Sequence, residues 1–96
     1  MDKVSVIMPA YNCEKYIAQS IAGVAAQTYT EWELIVCDDC SSDSTKSIVE
    51  ELAAQDSRIK CYTTVKNVGA SEARNLGIEK ATGRYIAFLD LSLIHI

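Results

Sequence analysis

An α/β fold built on a parallel sheet is what this sequence predicts, and three observations predict it. Short β-branched or apolar runs alternate with longer stretches whose apolar residues recur every three or four positions. The second short run, residues 32–39 (WELIVCDD), reads as apolar on both faces, as central parallel strands are. No repeat, low-complexity segment or linker interrupts the alternation, and 96 residues allow one domain at most.

The elements follow in order. Residues 4–8 (VSVIM) make a short buried strand that Pro9 is expected to stop. Tyr16, Ile17, Ile21, Val24 and Ala25 then recur at helical spacing, which predicts an amphipathic helix over about 13–27 with Asn12 as N-cap. Residues 32–39 form the second strand, with Trp32 packing at its start. The stretch SSDSTKSIVEELAAQD reads as a second helix: Ser42 or Asp43 is placed to cap it, and Ile48, Val49 and Leu52 give its buried face. RIKCYTT is a third, weaker strand. VGASEARNLGIEKATG is a third helix, with Ala73, Leu76, Gly77 and Lys80–Ala81 along one side and Gly83 just past its end, a common place for a C-terminal glycine. RYIAFLD is the fourth strand. Right-handed crossovers restrict the topology, and the usual dinucleotide-type order places these strands 3-2-1-4, a Rossmann-like arrangement.

Composition removes several function classes. With 49% hydrophobic and 23% charged residues the chain is ordinary globular material. Its apolar runs are far shorter than the ~20 residues of a membrane span. The N-terminus has no apolar signal-peptide core, so a protein of the cytoplasm is expected. The formal charge is −4 and no basic stripe is visible, which argues against nucleic acid as a partner. A phosphate ligand near such acids would call for a bridging cation. Cys37 and Cys40 flank Asp38 and Asp39 as Cys-x-x-Cys, but neighbouring carboxylates raise thiol pKa values, the wrong direction for a redox thiol. Cys13 and Cys61 are not spaced as a second zinc pair, so the four cysteines are read as free thiols.

In the 3-2-1-4 order the first and fourth strands are neighbours and the chain reverses direction between them. Ligands bind at the carboxyl ends of strands at such a switch point. Pro9, Ala10, Tyr11 and Asn12 end the first strand, Asp38 and Asp39 the second, and Asp90 the fourth. Three carboxylates and a tyrosine from distant segments therefore converge on one edge. Neither G-x-G-x-x-G nor G-x-x-x-x-G-K-[ST] occurs, so the glycine-rich phosphate loops are absent. What remains is a tyrosine able to stack on a base and acids able to accept a base N–H, hold ribose hydroxyls or ligate a cation. A nucleotide diphosphate carrying a leaving group meets these needs. Adjacent strand residues point to opposite sides, so Asp38 and Asp39 cannot serve the crevice alike; Asp39 is the candidate ligand and Asp38 a supporting residue.

VSVIMPAYN, AQTYTEWELIVCDDCSSDST, NVGASEARNLGI and ATGRYIAFLD, in this order, resemble the landmarks of the family 2 glycosyltransferases of the GT-A fold, over residues 3–90. The resemblance implies transfer of a sugar from a nucleotide diphosphate, usually a uridine one, to a glycan or lipid-linked acceptor, with inversion at the anomeric carbon. It implies that Tyr11, two residues after Pro9, stacks on the base, that Asp39 recognises the uracil edge, and that Arg74 reaches the nucleotide. Asp90 would be the first acid of the motif that holds ribose and a Mn²⁺ or Mg²⁺ ion.

After Asp90 the chain departs from the family pattern. Leu91 to Ile96 (LSLIHI) supply no further acid. Residues 1–90 therefore read as the nucleotide-binding half-domain and 91–96 as an atypical tail, a truncation or artefact in which His95 has no role. The general base and acceptor site are expected to be missing, leaving the isolated chain inactive, and a membrane association would belong to the complete enzyme.

Overall fold

The computed structural model describes residues 3–26, 31–64, 66 and 69–89. The elements are β1 (Val4–Ala10), α1 (Ile17–Ala25), β2 (Trp32–Asp38), α2 (Thr45–Gln55), β3 (Ile59–Thr63), α3 (Ala70–Lys80) and β4 (Tyr85–Phe88). The four strands form one all-parallel sheet in the order β3-β2-β1-β4. The alternation and the right-handed crossover rule anticipate both the class and the strand order.

Side-chain alternation divides the core into two layers. Met8, Ala10, Leu34 and Val36 face one way and pack with Ile17, Ile21 and Val24 of α1 and Val49 of α2. Ile7, Ile35 and Cys37 face the other way, against Ala73 of α3. Every residue of β2 is buried. A fully buried Leu, Ile or Val contributes about 1.5–3 kcal/mol, so β2 is the strand on which stability depends most. At the other extreme β4 is exposed along its length, with Tyr85, Ile86 and Phe88 open to solvent.

Several local expectations are corrected. Pro9 does not stop β1, which runs to Ala10. The Ile7 carbonyl accepts the Leu89 N–H and the Ala10 carbonyl accepts that of Asp39. Odd residues of β1 thus face β4, whose pairing ends at Ile7 opposite Phe88. The donor that Pro9 lacks points past the last paired residues, Ile7 and Phe88, so none of the paired residues of β4 loses a bond. Helix α1 begins at Ile17, not near 13, and Asn12 is not its N-cap; Asn12 has φ 46° and bonds another loop. Of its expected apolar face, Ile17, Ile21 and Val24 are buried, while Tyr16 and Ala25 are exposed. Gly83 does not cap α3. A Cβ there would sit 2.5 Å from Ser5 Oγ and 2.8 Å from the Lys3 carbonyl oxygen, so glycine is required by close approach to β1.

The strand expected to be apolar on both faces carries a buried acid. Glu33 is 2% exposed. Its carboxylate accepts Ser5 Oγ at 2.6 Å, Lys60 Nζ at 2.8 Å, and the Thr82 N–H and hydroxyl at 2.7 and 3.0 Å. Burial alone would raise its pKa, but the bonds from Lys60, Ser5 and Thr82 outweigh it and hold the carboxyl at about 2. Glu33 thus ties β1, β3 and the α3–β4 turn together at the amino end of the sheet.

Candidate functional site

The carboxyl end of the sheet is where β1 and β2 hand over to their loops. The Asp39 N–H donates to the Ala10 carbonyl at 2.8 Å, carrying the β1–β2 pairing one residue past the ladder. The Thr64 N–H donates to the Asp38 carbonyl at 3.0 Å and does the same for β2 and β3. Asp39 is therefore held at the mouth between β1 and β3, 4% exposed. Its Oδ1 accepts the Thr64 hydroxyl at 3.0 Å and its Oδ2 accepts the Gly69 N–H at 2.8 Å. Gly69 precedes α3 with φ 93°, a conformation open to glycine and costly to other residues.

Pro9, Ala10, Tyr11 and Asp39 line one recess of about 90 Å³. Whole ligand pockets run to roughly 300–1,000 Å³, so this recess suits one ring rather than a complete nucleotide. Tyr11 is 51% exposed, leaving its ring surface open for stacking. Two larger hollows lie elsewhere. One, of about 310 Å³, is at the amino end of the sheet between Lys3, Trp32, Glu33, Arg58 and Lys60. There Lys60 and Lys3 face Glu33, and Arg58 pairs with Asp56 and stacks on Trp32. The other, of about 320 Å³, runs along Asn12 to Tyr16 and Asp43. The small recess is favoured because it brings an aromatic and a buried acid to the carboxyl end of β1, one of the two strands of the switch point.

The two loops beside it are stitched to each other. Asn12 N–H donates to Ser41 Oγ at 3.0 Å, and Asn12 Oδ1 accepts the Ser42 N–H at 2.8 Å. Glu14 N–H donates to Asp43 and Ser44 N–H donates to Glu14, both at 3.3 Å. Cys13 N–H donates to the buried Thr45 hydroxyl at 2.9 Å. Asp43 accepts the Thr45 N–H at 2.9 Å, so it serves the start of α2 from one residue before the N-cap, Ser44. Asp38 belongs to this loop system: its carboxylate accepts both the N–H and the hydroxyl of Ser41.

The cysteines make no common site among the described residues. Cys37 is fully buried against α3, and burial and the nearby Cys61 push its pKa up to about 11. Burial, then Asp38 and Glu50, push Cys61 to about 11 as well. Cys40 is exposed, with φ 58°.

Of the residues singled out from sequence, Pro9, Tyr11 and Asp39 thus meet. Arg74 stands half-buried in the first half of α3, outside the residues lining the recess, and makes no ion pair among the described residues. Asp90 and the tail 91–96 lie outside the described residues. No group of three or more His, Cys, Asp or Glu among the described residues could hold a metal ion, so these side chains alone do not make a cation site. Sequence reading passed over Thr64 and Gly69. Gly69, inside the stretch read as the third helix, instead precedes α3, which begins at Ala70; Thr64 had no local signal, because its role depends on Asp39, 25 residues away.

Comparison with known proteins follows the same line. The profile of Glycosyl transferase family 2 matches residues 5–94. The chain is 54% identical over 87 residues to the Escherichia coli UDP-Glc:alpha-D-GlcNAc-diphosphoundecaprenol beta-1,3-glucosyltransferase WfgD, covering 91% of this chain and 34% of that protein. Staphylococcus aureus TarS 1-349, solved in complex with UDP-GlcNAc, superposes with a TM-score of 0.84 at 37% identity, over 92% of this chain and 26% of TarS. The Pyrobaculum calidifontis mannosyltransferase PcManGT, solved with GDP-Man and Mn²⁺, gives 0.86 at 27% identity, over 93% of this chain and 27% of that one. The chain thus spans about a third or less of the length of the curated relatives it matches. No helix among the described residues is long and apolar enough to cross a membrane. With the profile matched over nearly all its length and the neighbouring folds those of GT-A sugar transferases, this chain belongs to glycosyl transferase family 2.

Proposed function

We propose that residues 1–90 are the nucleotide-sugar-binding half-domain of a transferase that uses a UDP-sugar donor and inverts the anomeric centre. One observation carries the reading: the open ring of Tyr11 and the buried carboxylate of Asp39 border one recess at the sheet's switch point. Tyr11 stacks on the uracil, and Asp39 accepts its ring N–H. Pro9 shapes the wall beside them. Arg74, whose charge no acid among the described residues neutralises, reaches the nucleotide from α3. WfgD, TarS and PcManGT, with their UDP or GDP donors, support the donor class.

In the complete protein a base outside this half-domain takes the proton of an acceptor hydroxyl. The hydroxyl oxygen attacks the anomeric carbon, and the bond to the diphosphate breaks with its electron pair on UDP. A divalent cation, Mn²⁺ or Mg²⁺, with Asp90 as one ligand, would neutralise diphosphate charge when bound. The acceptor is lipid-linked or a growing glycan of the cell surface, and the reaction is cytoplasmic, at the membrane face where the acceptor sits. The isolated chain binds nucleotide and transfers no sugar.

Calorimetric titration of the chain with UDP, with and without Mn²⁺, tests this. Heat of binding that disappears in Asp39→Ala is expected; an unchanged isotherm in that variant, or sugar transfer by the isolated chain, would overturn the corresponding part.

A further inference from the structure

The geometry points to Thr64 as a positioning residue for base recognition, acting through Asp39 together with the Gly69 N–H. The inference rests on the reading of Asp39 as the acid that accepts the uracil N–H. A carboxylate on a single bond can turn, and turning changes which lone pairs face a ligand. At Asp39 each oxygen has a donor within reach: the Gly69 N–H on Oδ2 at 2.8 Å, and on Oδ1 at 3.0 Å the Thr64 hydroxyl, whose one proton is shared with the Lys66 carbonyl at 2.7 Å. Donors on opposite oxygens set the carboxylate plane relative to the Pro9–Tyr11 wall.

The two donors differ in kind. The Gly69 N–H is backbone and set by the start of α3. The Thr64 hydroxyl is a rotor with a single proton, and the Lys66 carbonyl lies 2.7 Å from the same oxygen. The Thr64 N–H holds the β2–β3 continuation without the hydroxyl, whose structural task is confined to the Lys66 carbonyl. Its orienting action on Asp39 is therefore separable from folding, as that of Gly69 is not.

Orientation matters most where two bases present opposite hydrogen-bonding patterns on the same edge. Uracil offers an N–H at the ring position where cytosine has a lone pair. A carboxylate held in one plane favours uracil and repels that lone pair. A carboxylate free to turn can instead accept the cytosine amino group.

The test is calorimetric titration of the 96-residue chain with UDP and with CDP. Thr64→Val, Thr64→Ser and Asp39→Asn are compared with wild type, with thermal melts to check folding; Thr64→Ala replaces the valine variant should it not fold. Thr64→Val is expected to weaken UDP binding about tenfold, the scale of one hydrogen bond to a charged group, and to lose most of the UDP-over-CDP preference. Thr64→Ser should restore both. Equal loss for UDP and CDP would show a merely structural role and overturn the proposal. Unchanged discrimination in Thr64→Val, with UDP binding lost in Asp39→Asn, would overturn the positioning role and leave base recognition standing. No UDP-over-CDP preference in the wild type, or none lost in Asp39→Asn, would overturn base recognition and this proposal with it.

Discussion

Asp38 and Asp39 are neighbours in the chain, and their carboxylates are held by different loops: Ser41 closes on Asp38, while Asp39 accepts the Gly69 N–H at 2.8 Å. Strand alternation separates them. Asp38 turns to the side of α1 and α2 and shapes the β2–α2 loop; Asp39 turns to the side of α3 and meets the recess. One acid organises the rim and the other borders the recess.

Asp38→Ala should therefore act on stability first. Removing a buried acceptor that serves the Ser41 N–H and hydroxyl costs about 1–3 kcal/mol. Urea unfolding is expected to show that loss, while UDP affinity falls less than in Asp39→Ala. The reverse ranking would refute the division.

Glu33 gives the fold an acid limit. Its carboxyl is lowered from the ordinary 4.5 to about 2 by the hydrogen bonds that outweigh its burial. A depressed carboxyl stabilises the fold above its unfolded pKa, and that stability is lost as pH falls through its folded one. The window is pH 4.5 down to 2, and the shift corresponds to about 3 kcal/mol. Urea midpoints measured across this window should fall more steeply for the wild type than for Glu33→Gln, which is already weaker at pH 7. Parallel curves would show that Glu33 is not the group responsible.

Two glycines should respond in opposite directions to alanine. Around Gly23, in α1, an added Cβ meets nothing within 4 Å; at Gly77 it would lie 2.5 Å from Ile7 Cγ2 and 3.0 Å from Cys37 Sγ. Gly23→Ala removes a flexible residue from a helix and should stabilise by about 0.5–1 kcal/mol. Gly77→Ala forces α3 away from β1 and β2 and should cost about 1–3 kcal/mol. Thermal melts of the two variants are the check, and a stabilising Gly77→Ala would show that α3 can shift freely.

The thiols should separate by kinetics. Cys40 is exposed, Cys13 and Cys37 are buried, and Cys61 is half-buried. Burial raises the pKa of all three sheltered thiols, those of Cys37 and Cys61 to about 11. Native protein treated with an aromatic disulfide reagent should release one equivalent fast and three slowly, since the thiolate is the reacting form. Two fast equivalents would mean that a core cysteine is accessible.

Much of this was legible because it depends on local pattern. The alternation of β1 and β2, the apolar stripes of α1 and α2, and the meeting of Pro9, Tyr11 and Asp39 all follow from period and topology. What escaped depends on distant partners. Glu33 looks like an exception in an apolar run until Ser5, Lys60 and Thr82, 28, 27 and 49 residues away, are seen around it. Helix starts were misjudged for a related reason: Asn12 resembles a cap, but its side chain serves Ser42 rather than α1. Gly83 carries a glycine's local signal, yet the close approach that requires it is to β1.

The reciprocal bonds between the β1–α1 and β2–α2 loops make them one mechanical part. Neither loop can lift without stripping donors from the other, so the amides of Asn12, Cys13, Glu14, Ser42 and Ser44 share a single opening event rather than five. On that side the mouth of the recess works as a riveted seam rather than a pair of flaps.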